Sequence, residues 1–506
     1  MARVVSQAKP LRRSEAVLVA AAIASLLAML ILGIWIVQSD AIDIAGMDMN
    51  VVFTIQKVLL GNSLYMPPDA APFDISQYTP LYYLVVAAVA KIVGVPGDDP
   101  IAVTRVARAV SALVAAAIAL TVYRFARARL GATPRTSIIA AAFIIAATSP
   151  WYFGARVDGL ATLFTLISIV LVLDSVDQSR RRSDALFVIG ILCALASILT
   201  KQSNISGLAI ITFFLMSTKR WSRLGLTAAT IAVVALLVVL AMPLLGSAFR
   251  ANLIGGVNNG ITLRDNLGLA YGPTFYWFGP LIAAGWAAAW RWLFSRATAA
   301  EKMVAIAVAV SFCLSMVTAV KRGAAENYFN ELIIFSTLAV VASFVVPTNE
   351  PATESPLSGR IVTAFFIYLI AFFGVRTAHE IYTTYLYHRV DVTTRLQSQK
   401  GPMEFVARTL EPGKTAVGFA VGLSNFLPER ILLPHQEIAA MAYWRKIFDY
   451  SRFRRAVESG NVQLVVMRRG EKPVPWLGAN FDGFVPTRQF RFYTVYAHPS
   501  APSQRE

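Results

Sequence analysis

The sequence predicts an all-α polytopic membrane protein of about eleven transmembrane helices, followed by a small C-terminal α/β domain. Composition is the first indication, since 56% of the 506 residues are hydrophobic, 15% are charged and the mean hydropathy is +0.58. Soluble proteins are far less apolar. The second indication is that apolar runs of roughly 17 to 25 residues, long enough to cross about 30 Å of hydrocarbon, recur along the first three quarters of the chain. These runs must be helical, because a backbone in lipid has to satisfy its own hydrogen bonds and no strand alternation is present.

The predicted spans are bounded by charged residues or prolines. They cover residues 15–37, 106–123, 136–150, 159–175, 184–200, 203–217, 224–246, 274–294, 302–320, 329–346 and 361–380. The first span follows a basic N-terminus and resembles a secretory signal peptide. It is too long for one and lacks a small-residue cleavage site, so we expect it to remain as a membrane anchor.

The orientation is predicted from the short loops rich in Lys and Arg, which tend to stay in the cytoplasm. With a cytoplasmic N-terminus, the basic loops at residues 124–135, 180–182, 219–223 and 291–302 all fall on the inner side. This assignment requires residues 38–105 to form one long outer loop, so the short apolar stretch Tyr82–Val95 is predicted to be an interfacial or re-entrant helix. If that stretch spanned the membrane, the Arg-rich loops would lie outside. The predicted location is the plasma (inner) membrane.

The chain becomes mixed and polar after residue 380, and residues 381–506 are numerous enough for one small domain. Strands are predicted at Thr415–Ala420, Ile431–Leu433, Val462–Met467 and Phe490–Tyr496, and helices over Pro402–Leu410 and Ala439–Val457. An odd number of spans after a cytoplasmic N-terminus places this domain outside the cytoplasm. The sequence therefore predicts a transmembrane domain at 1–380 and an extracytoplasmic domain at 381–506.

Polar residues gather at the helix ends predicted to lie on the outer side. Charges that border lipid are costly and often mark functional sites. Any one cluster could equally be a solvated helix cap, but their concentration on one face favours chemistry at the outer side. The clusters are Asp43 and Asp48; Arg156 and Asp158; Lys201, Gln202, Ser203 and Asn204; Asn258, Asn259 and Arg264; and Lys321, Arg322, Glu326, Asn327, Tyr328 and Glu331.

Asp48 begins an amphipathic stretch, Met49–Leu60, that is predicted to be a helix. The helix dipole keeps such a carboxylate ionised, and an exposed acid at this position stabilises the helix by about 0.3 to 1 kcal/mol. An ionised Asp48 could act as a general base toward an acceptor hydroxyl or hold a cation, and a plain helix cap is the alternative.

Cations at the outer lipid boundary suit a phosphate group. Lys201 follows one apolar span, and Lys321 with Arg322 follows another. A lipid phosphate lies at that depth, where charge-assisted hydrogen bonds to its oxygens are strong. Ordinary snorkelling of the side chains toward water is the alternative.

Several motifs occur in a distinctive order. After the acid-headed helix come Gly61-Asn62-Ser63-Leu64-Tyr65, Tyr78-Thr79-Pro80-Leu81-Tyr82-Tyr83, Arg156-Val157-Asp158, Thr200-Lys201-Gln202-Ser203, and Lys321-Arg322-Gly323 leading to Asn327-Tyr328. In order, spacing and outer placement they resemble the polyprenyl-phosphate-dependent glycosyltransferases of the C superfamily. That group includes the protein O-mannosyltransferases (glycosyltransferase family 39) and the aminoarabinose transferase of lipid A. The resemblance covers residues 15–345.

The resemblance implies roles for particular residues. The family's first-loop acid pair falls on Met47 and Asp48, which leaves Asp48 as the candidate base and weakens the case for a divalent cation held by paired carboxylates. Asp43 or Asp158 could supply a second ligand, so the metal requirement stays open. The candidate substrate-binding residues are Arg156, Lys201, Gln202, Tyr78, Tyr82, Lys321, Arg322, Asn327 and Tyr328.

The resemblance therefore implies an inverting glycosyltransferase that passes a sugar from a polyprenyl-phosphate donor to a lipid, glycan or protein acceptor on the outer face. Lys201, with Lys321 or Arg322, would stabilise the charge that develops on the leaving lipid phosphate. The expected partners are the donor, the acceptor and membrane lipids, with no nucleic acid. The main alternative is a multi-span transporter, although transporters usually place polar sites near the midplane between repeated halves. A non-catalytic scaffold or sugar-polymer ligase that docks through the C-terminal domain is a further alternative.

Overall fold

The computed structural model describes residues 13–41, 48–176, 180–245, 248–345, 356–386, 393–418, 423–473 and 475–499. Most of these residues are helical. The helices are α1 (Arg13–Gln38), α2 (Asp48–Leu59), α3 (Leu81–Ile92), α4 (Pro100–Arg129), α5 (Pro134–Phe153), α6 (Asp158–Val176), α7 (Arg180–Thr200), α8 (Ser206–Ser217), α9 (Trp221–Leu245), α10 (Leu263–Asn266), α11 (Gly272–Phe294), α12 (Ala299–Thr318), α13 (Asn330–Val345), α14 (Pro356–Leu386), α15 (Thr393–Thr409), α16 (Leu423–Phe426), α17 (Gln436–Trp444) and α18 (Ser451–Glu458). The strands are β1 (Thr415–Gly418), β2 (Val462–Arg468), β3 (Val485–Gln489) and β4 (Tyr493–Ala497).

Seven helices within the described residues contain a segment that is long and apolar enough to cross a membrane. These segments are Glu15–Gln38, Pro100–Arg129, Asp158–Val176, Ser183–Thr200, Trp221–Leu245, Ala299–Thr318 and Ala364–Thr384. They confirm the prediction of a mostly helical polytopic membrane protein. The other four predicted spans coincide with α5, α8, α11 and α13. Of these, α8 has only 12 residues, which cover about 18 Å along a helix axis.

The helix α4 begins at Pro100, earlier than the predicted boundary at residue 106. The Asp99 carboxylate accepts hydrogen bonds from the amides of Ile101 and Ala102 at 3.0 and 2.9 Å, and proline is well suited to the first helical position. The loop predicted to lie outside therefore ends at Asp99. The sequence-based boundary is wrong because the charge of Arg105 suggests a loop, whereas this residue lies on an exposed turn of the helix.

Two short helices lie between α1 and α4, as the sequence predicts. The amphipathic helix α2 begins at Asp48, and α3 covers most of the predicted interfacial stretch. At the other end of the membrane domain, α14 continues to Leu386, past the predicted domain boundary at 380/381.

The C-terminal domain contains one mixed four-stranded sheet in the order β1-β2-β4-β3. The central strand β2 pairs in parallel with β1 and antiparallel with β4, and the edge strand β3 pairs with β4. The predicted strands near β1, β2 and β4 are therefore confirmed. The described part of the strand predicted at 415–420 ends at Gly418, and its last two residues lie outside the described residues.

Three predicted features of this domain differ from the structure. Residues 431–433 form only an isolated bridge, in which Ile431 pairs with Ala416. The edge strand β3 has five exposed residues and includes Pro486, so it lacks the apolar alternation that would reveal it. The helix predicted over 439–457 is interrupted between α17 and α18, where Lys446 adopts a φ of 55°.

The loop between α1 and α4 and the C-terminal domain meet through a buried polar network. Lys57 of α2 forms an ion pair with Asp74, and its ammonium also donates to the carbonyl of Leu64 at 2.9 Å. The Nδ1 atom of His435 lies 3.0 Å from the other carboxylate oxygen of Asp74. Burial alone would raise the pKa of Asp74, but the charges of Lys57 and His435 hold it well below its usual range.

Candidate functional site

Three segments that are distant in the sequence meet at the carboxylate of Asp158. Asp158 begins α6, is buried, and accepts hydrogen bonds on one oxygen from Lys201 and Asn327, each at 2.7 Å. The Nε atom of Arg156 lies 3.4 Å from the other oxygen. Four residues predicted from three separate motifs are thus brought into one cluster.

Lys201 points into the protein and not toward water. It follows the last residue of α7, and its ammonium lies 4.4 Å from the centre of the Tyr328 ring, within the range of a cation–π contact. Burial opposes its charge, but the nearby Asp158 carboxylate raises the pKa of Lys201 well above its usual range. This is not the arrangement of a snorkelling lysine.

The chain between α7 and α8 carries polar groups into the membrane domain. Asn204 donates to Ser197 at 2.7 Å, to Thr165 at 3.2 Å and to Glu331 at 3.0 Å. Thr165 lies seven residues after Asp158 on α6, which corresponds to about 10 Å along the helix axis. The polar cluster therefore extends along α6 from its N-terminal end toward the middle of the helix.

A polar cavity runs along this cluster. It encloses about 480 Å³ of empty space, part of it open to solvent. Its lining includes Asp158, Lys201, Asn327 and Tyr328, together with Asn204, Glu331 and hydroxyl side chains of α12. The Ser311 hydroxyl is buried and has no hydrogen-bond partner among the described residues, so it is available to a polar ligand or to water.

A second and larger cavity adjoins the first, and Ser203, Thr318 and Tyr328 line both. It encloses about 970 Å³, including space open to solvent. Its wall carries Lys321 and, from the C-terminal domain, Arg445, and no acidic side chain is among its described lining residues. Burial, together with the charge of Lys201, lowers the pKa of Lys321 to about 8.

Asp48, the candidate base, begins α2 as predicted but is fully buried. One of its oxygens lies 3.4 Å from Nη2 of the equally buried Arg108 on α4. The expectation of an exposed acid at this position is therefore wrong. Tyr82 packs nearby and experiences the charges of both Asp48 and Asp158, so the two acids lie around the same tyrosine.

Tyr78, Tyr82, Gln202 and Arg322 line neither cavity. The Tyr82 hydroxyl is fully buried and lies 2.9 Å from the Ser111 hydroxyl. Gln202 donates to the carbonyl of Gln77 at 2.6 Å, and the carbonyl of Tyr78 accepts from Tyr65 at 2.8 Å. Arg322 is exposed, and its amide donates to Gly260 at 2.8 Å. Asp43 lies outside the described residues.

Asp48 and Asp158, the two candidate acids that the structure describes, do not form a metal site. Among the described residues, no group of three or more His, Cys, Asp or Glu side chains is placed to hold a metal ion. Asp48 is paired with Arg108, and Asp158 with Lys201 and Arg156. Divalent cations bind carboxylates that are free of competing positive charge, so this donor set does not fit one.

Several residues of the cavities are absent from the predicted site. Glu331 lies one helical turn after Asn327, and Ser311, Ser315 and Thr318 follow the spacing of one face of α12. A polar stripe with that spacing in an otherwise apolar span is a signal that sequence reasoning could have used. For Arg445 the sequence offers no such signal, because its position depends on how the C-terminal domain docks.

Comparison with known proteins places the fold. No family model and no curated protein matches the chain. The solved structure of ArnT from Cupriavidus metallidurans in the apo state matches with a TM-score of 0.60 at 14% identity, covering 94% of this chain and 97% of ArnT. The same protein bound to undecaprenyl phosphate matches with a TM-score of 0.58 at 15% identity, covering 97% of this chain and 99% of ArnT.

A third solved structure supports the same assignment. The oligosaccharyltransferase from Archaeoglobus fulgidus, tethered to an acceptor peptide, matches with a TM-score of 0.50 at 12% identity, covering 93% of this chain and 74% of that protein. ArnT and this oligosaccharyltransferase both belong to the C superfamily. The chain is therefore a multi-pass membrane protein with the fold of the C superfamily of glycosyltransferases, which confirms the resemblance seen in its sequence.

Proposed function

We propose that this protein is a membrane glycosyltransferase that transfers a sugar from a polyprenyl-phosphate donor to a hydroxyl-bearing acceptor, a lipid, a glycan or a protein. The observation that carries the proposal is the pair of adjoining polar cavities with Lys201 and Lys321 in their walls. Support comes from the fold, since ArnT, a lipid A aminoarabinose transferase of the same fold, has been solved with undecaprenyl phosphate.

The two lysines are assigned different parts of the donor. Lys321 makes no ion pair among the described residues and faces the larger cavity, so it is available to the phosphate. Lys201 is already bound to Asp158, and it would meet the bond between phosphate and sugar where the two cavities join. A hydrogen bond to a charged group contributes about 1.5 to 3 kcal/mol, enough for each lysine to affect donor binding measurably.

The chemical step is a single displacement. The acceptor hydroxyl attacks the anomeric carbon, the new carbon–oxygen bond forms on the face opposite the phosphate, and the bond from the anomeric carbon to the phosphate oxygen breaks. The electron pair remains on the departing lipid phosphate, where the two lysine cations stabilise it. The hydroxyl proton passes to a carboxylate, and the configuration of the sugar inverts.

Asp48 is the proposed base. Asp158 already accepts contacts from two cations and one amide, so we assign it to holding Lys201 and Asn327 in place. Asp48 begins α2, forms an ion pair with Arg108 at 3.4 Å and shares its tyrosine neighbour, Tyr82, with Asp158, so acceptor binding has to open a path to it. No step is routed through a divalent cation, because the acids present do not fit one.

The orientation follows from the distribution of basic loops. The proposed topology has a cytoplasmic N-terminus, eleven spans in the plasma (inner) membrane, and the first outer loop and C-terminal domain on the extracytoplasmic side. Single cysteines at Ala70 and Asn480, in a cysteine-free background, should both react with an impermeant thiol reagent added from outside, and a cysteine at Ala299 should not. Labelling of one outer position with protection of the other would contradict the eleven-span topology.

Donor consumption tests the proposed function. Radiolabelled polyprenyl-phosphate sugars are offered to membranes that contain the protein and, as a matched control, the Asp48→Asn variant. A transferase releases polyprenyl phosphate and moves the label into an acceptor, and only the wild type should do so. Movement of an intact donor across the membrane without release of polyprenyl phosphate would indicate a transporter.

A further inference from the structure

The C-terminal domain packs against a glycine-rich segment of the membrane domain, residues 255–260. A Cβ atom on Gly255 would lie 2.5 Å from the Phe448 ring, and one on Gly260 would lie 2.6 Å from Nη1 of Arg445. Both distances are too short for real contacts. The absence of side chains on these glycines therefore allows the segment 445–448 of the C-terminal domain to lie directly on the backbone.

This docking brings Arg445 to the wall of the larger cavity, next to the loop that carries Lys321. The carbonyl of Gly260 accepts a hydrogen bond from the amide of Arg322 at 2.8 Å, and Ile261 forms a backbone bridge with Lys321. Gly260, which packs against the Arg445 guanidinium, is thus hydrogen-bonded to the loop that carries Lys321. Two cations from two domains face one cavity.

The N–H groups of the Arg445 guanidinium are largely available to a ligand. Among the described residues, the one hydrogen bond of this guanidinium goes to the Asn258 side chain at 3.4 Å, which is long, and the guanidinium forms no ion pair there. The guanidinium is exposed on the cavity side, and no described acid lines the cavity. A planar fork of N–H donors beside a lysine ammonium matches the oxygens of a phosphate group.

We propose that Arg445 and Lys321 bind the phosphate of the polyprenyl donor together, so that the C-terminal domain completes the donor site. This inference rests on the proposed function and names the part of the protein that recognises the donor. The apolar side chains of Ile261 and Val317 line the same cavity and are both largely exposed, so they provide a surface for the first isoprene units. The ligand class is a prenyl phosphate, in which the anionic head and the apolar tail are both required.

Direct binding to the purified full-length protein in detergent tests the inference. The probes are undecaprenyl phosphate, undecaprenol without phosphate, and inorganic phosphate. The proteins are the wild type, Arg445→Gln, Arg445→Lys, and Arg452→Gln as the control, because Arg452 is an exposed cation of the same domain outside the cavity wall. Arg445→Gln should weaken undecaprenyl phosphate binding by about tenfold or more, the loss expected for one charge-assisted hydrogen bond.

The remaining proteins and probes set the limits. Arg445→Lys should recover part of the affinity, undecaprenol should bind the wild type and Arg445→Gln equally, and inorganic phosphate should bind far more weakly than the lipid. Equal affinity of Arg445→Gln and Arg452→Gln for undecaprenyl phosphate would overturn the inference, as would a wild type that does not bind this lipid.

Binding is measured without sugar transfer, so the two proposals can fail separately. Arg445-dependent binding in a protein that transfers no sugar would sustain the inference and reject the proposed function. Sugar transfer with the same Michaelis constant in Arg445→Gln and the wild type would reject the inference alone.

Discussion

The affinity for undecaprenyl phosphate should fall with rising pH because of Lys321. Its pKa is about 8 in the ligand-free protein, whereas an ordinary lysine titrates near 10.4. A group with a pKa of about 8 is about 90% protonated at pH 7 and about 10% at pH 9. The anionic lipid phosphate binds the protonated form of Lys321. The affinity for the lipid should therefore be highest below pH 8 and should fall above it, by roughly tenfold between pH 7 and pH 9. The lipid phosphate does not cause this change, since its second pKa is near 6.

Two substitutions isolate the lysine in this experiment. Lys321→Arg keeps its charge throughout the range, so its affinity should be independent of pH. Lys321→Gln should bind more weakly at pH 7 and should also show no pH dependence. Equilibrium binding at pH 7, 8 and 9 in one detergent and at one ionic strength supplies the measurement. A wild-type affinity that does not change with pH, or a decline of equal size in Lys321→Arg, would refute the assignment of Lys321 to the phosphate.

Four further substitutions test the buried charges. Asp158→Asn should lower the free energy of unfolding by about 3 to 5 kcal/mol, because it removes the carboxylate of a buried ion pair. Adding Lys201→Met should recover part of this loss, and a double variant whose loss equals the sum of the two single losses would argue against the pair. Lys201→Gln should slow transfer roughly 10- to 150-fold, with partial recovery in Lys201→Arg; identical rates at every donor concentration would place the donor elsewhere. Asp48→Asn should abolish transfer in protein that remains folded by circular dichroism. Because Asp48 is buried beside Arg108, the substitution should also lower the free energy of unfolding, by up to about the same 3 to 5 kcal/mol. Full activity would remove Asp48 from the mechanism. Asp74→Asn should lower the melting temperature. Because the pKa of Asp74 is depressed in the folded protein, the difference in melting temperature from the wild type should persist from pH 7 to 5 and narrow only below about pH 4. A difference that vanishes by pH 6 would contradict this.

The helices were predictable because the length of an apolar run is a local property of the sequence. Each long span matches a predicted run to within a few residues except α4, which begins earlier, at Pro100, and ends later, at Arg129, than the predicted run 106–123. The cluster at Asp158 was predictable for a related reason. A charge at the edge of lipid is costly wherever it occurs, so Asp158, Lys201 and Asn327 stood out in three separate motifs before their contacts were known.

The pairing of these groups could not be predicted, because it depends on distant parts of the chain. Arg108 is a lone cation inside a predicted span, yet the sequence does not show that Asp48 neutralises it from sixty residues away. The depth of the site is another example. Asn204 reaches Glu331 only because α8 is short and the chain before it turns inward, and hydropathy does not report such a turn.

The buried network at Asp74 also sets an order of assembly. The Nδ1 atom of His435 also lies 2.9 Å from the carbonyl oxygen of Ile75, the residue after Asp74 and 360 positions earlier in the chain. At ribosomal rates this separation is roughly 20 to 70 s of synthesis. On the proposed topology, the outer loop reaches the far side of the membrane long before the residue that completes its interior. Lys57 and Asp74 remain accessible to water there until the C-terminal domain has been exported. A chain interrupted before His435 would therefore be inserted in the membrane with its outer surface unfinished, and we expect quality-control proteases to recognise it at this loop.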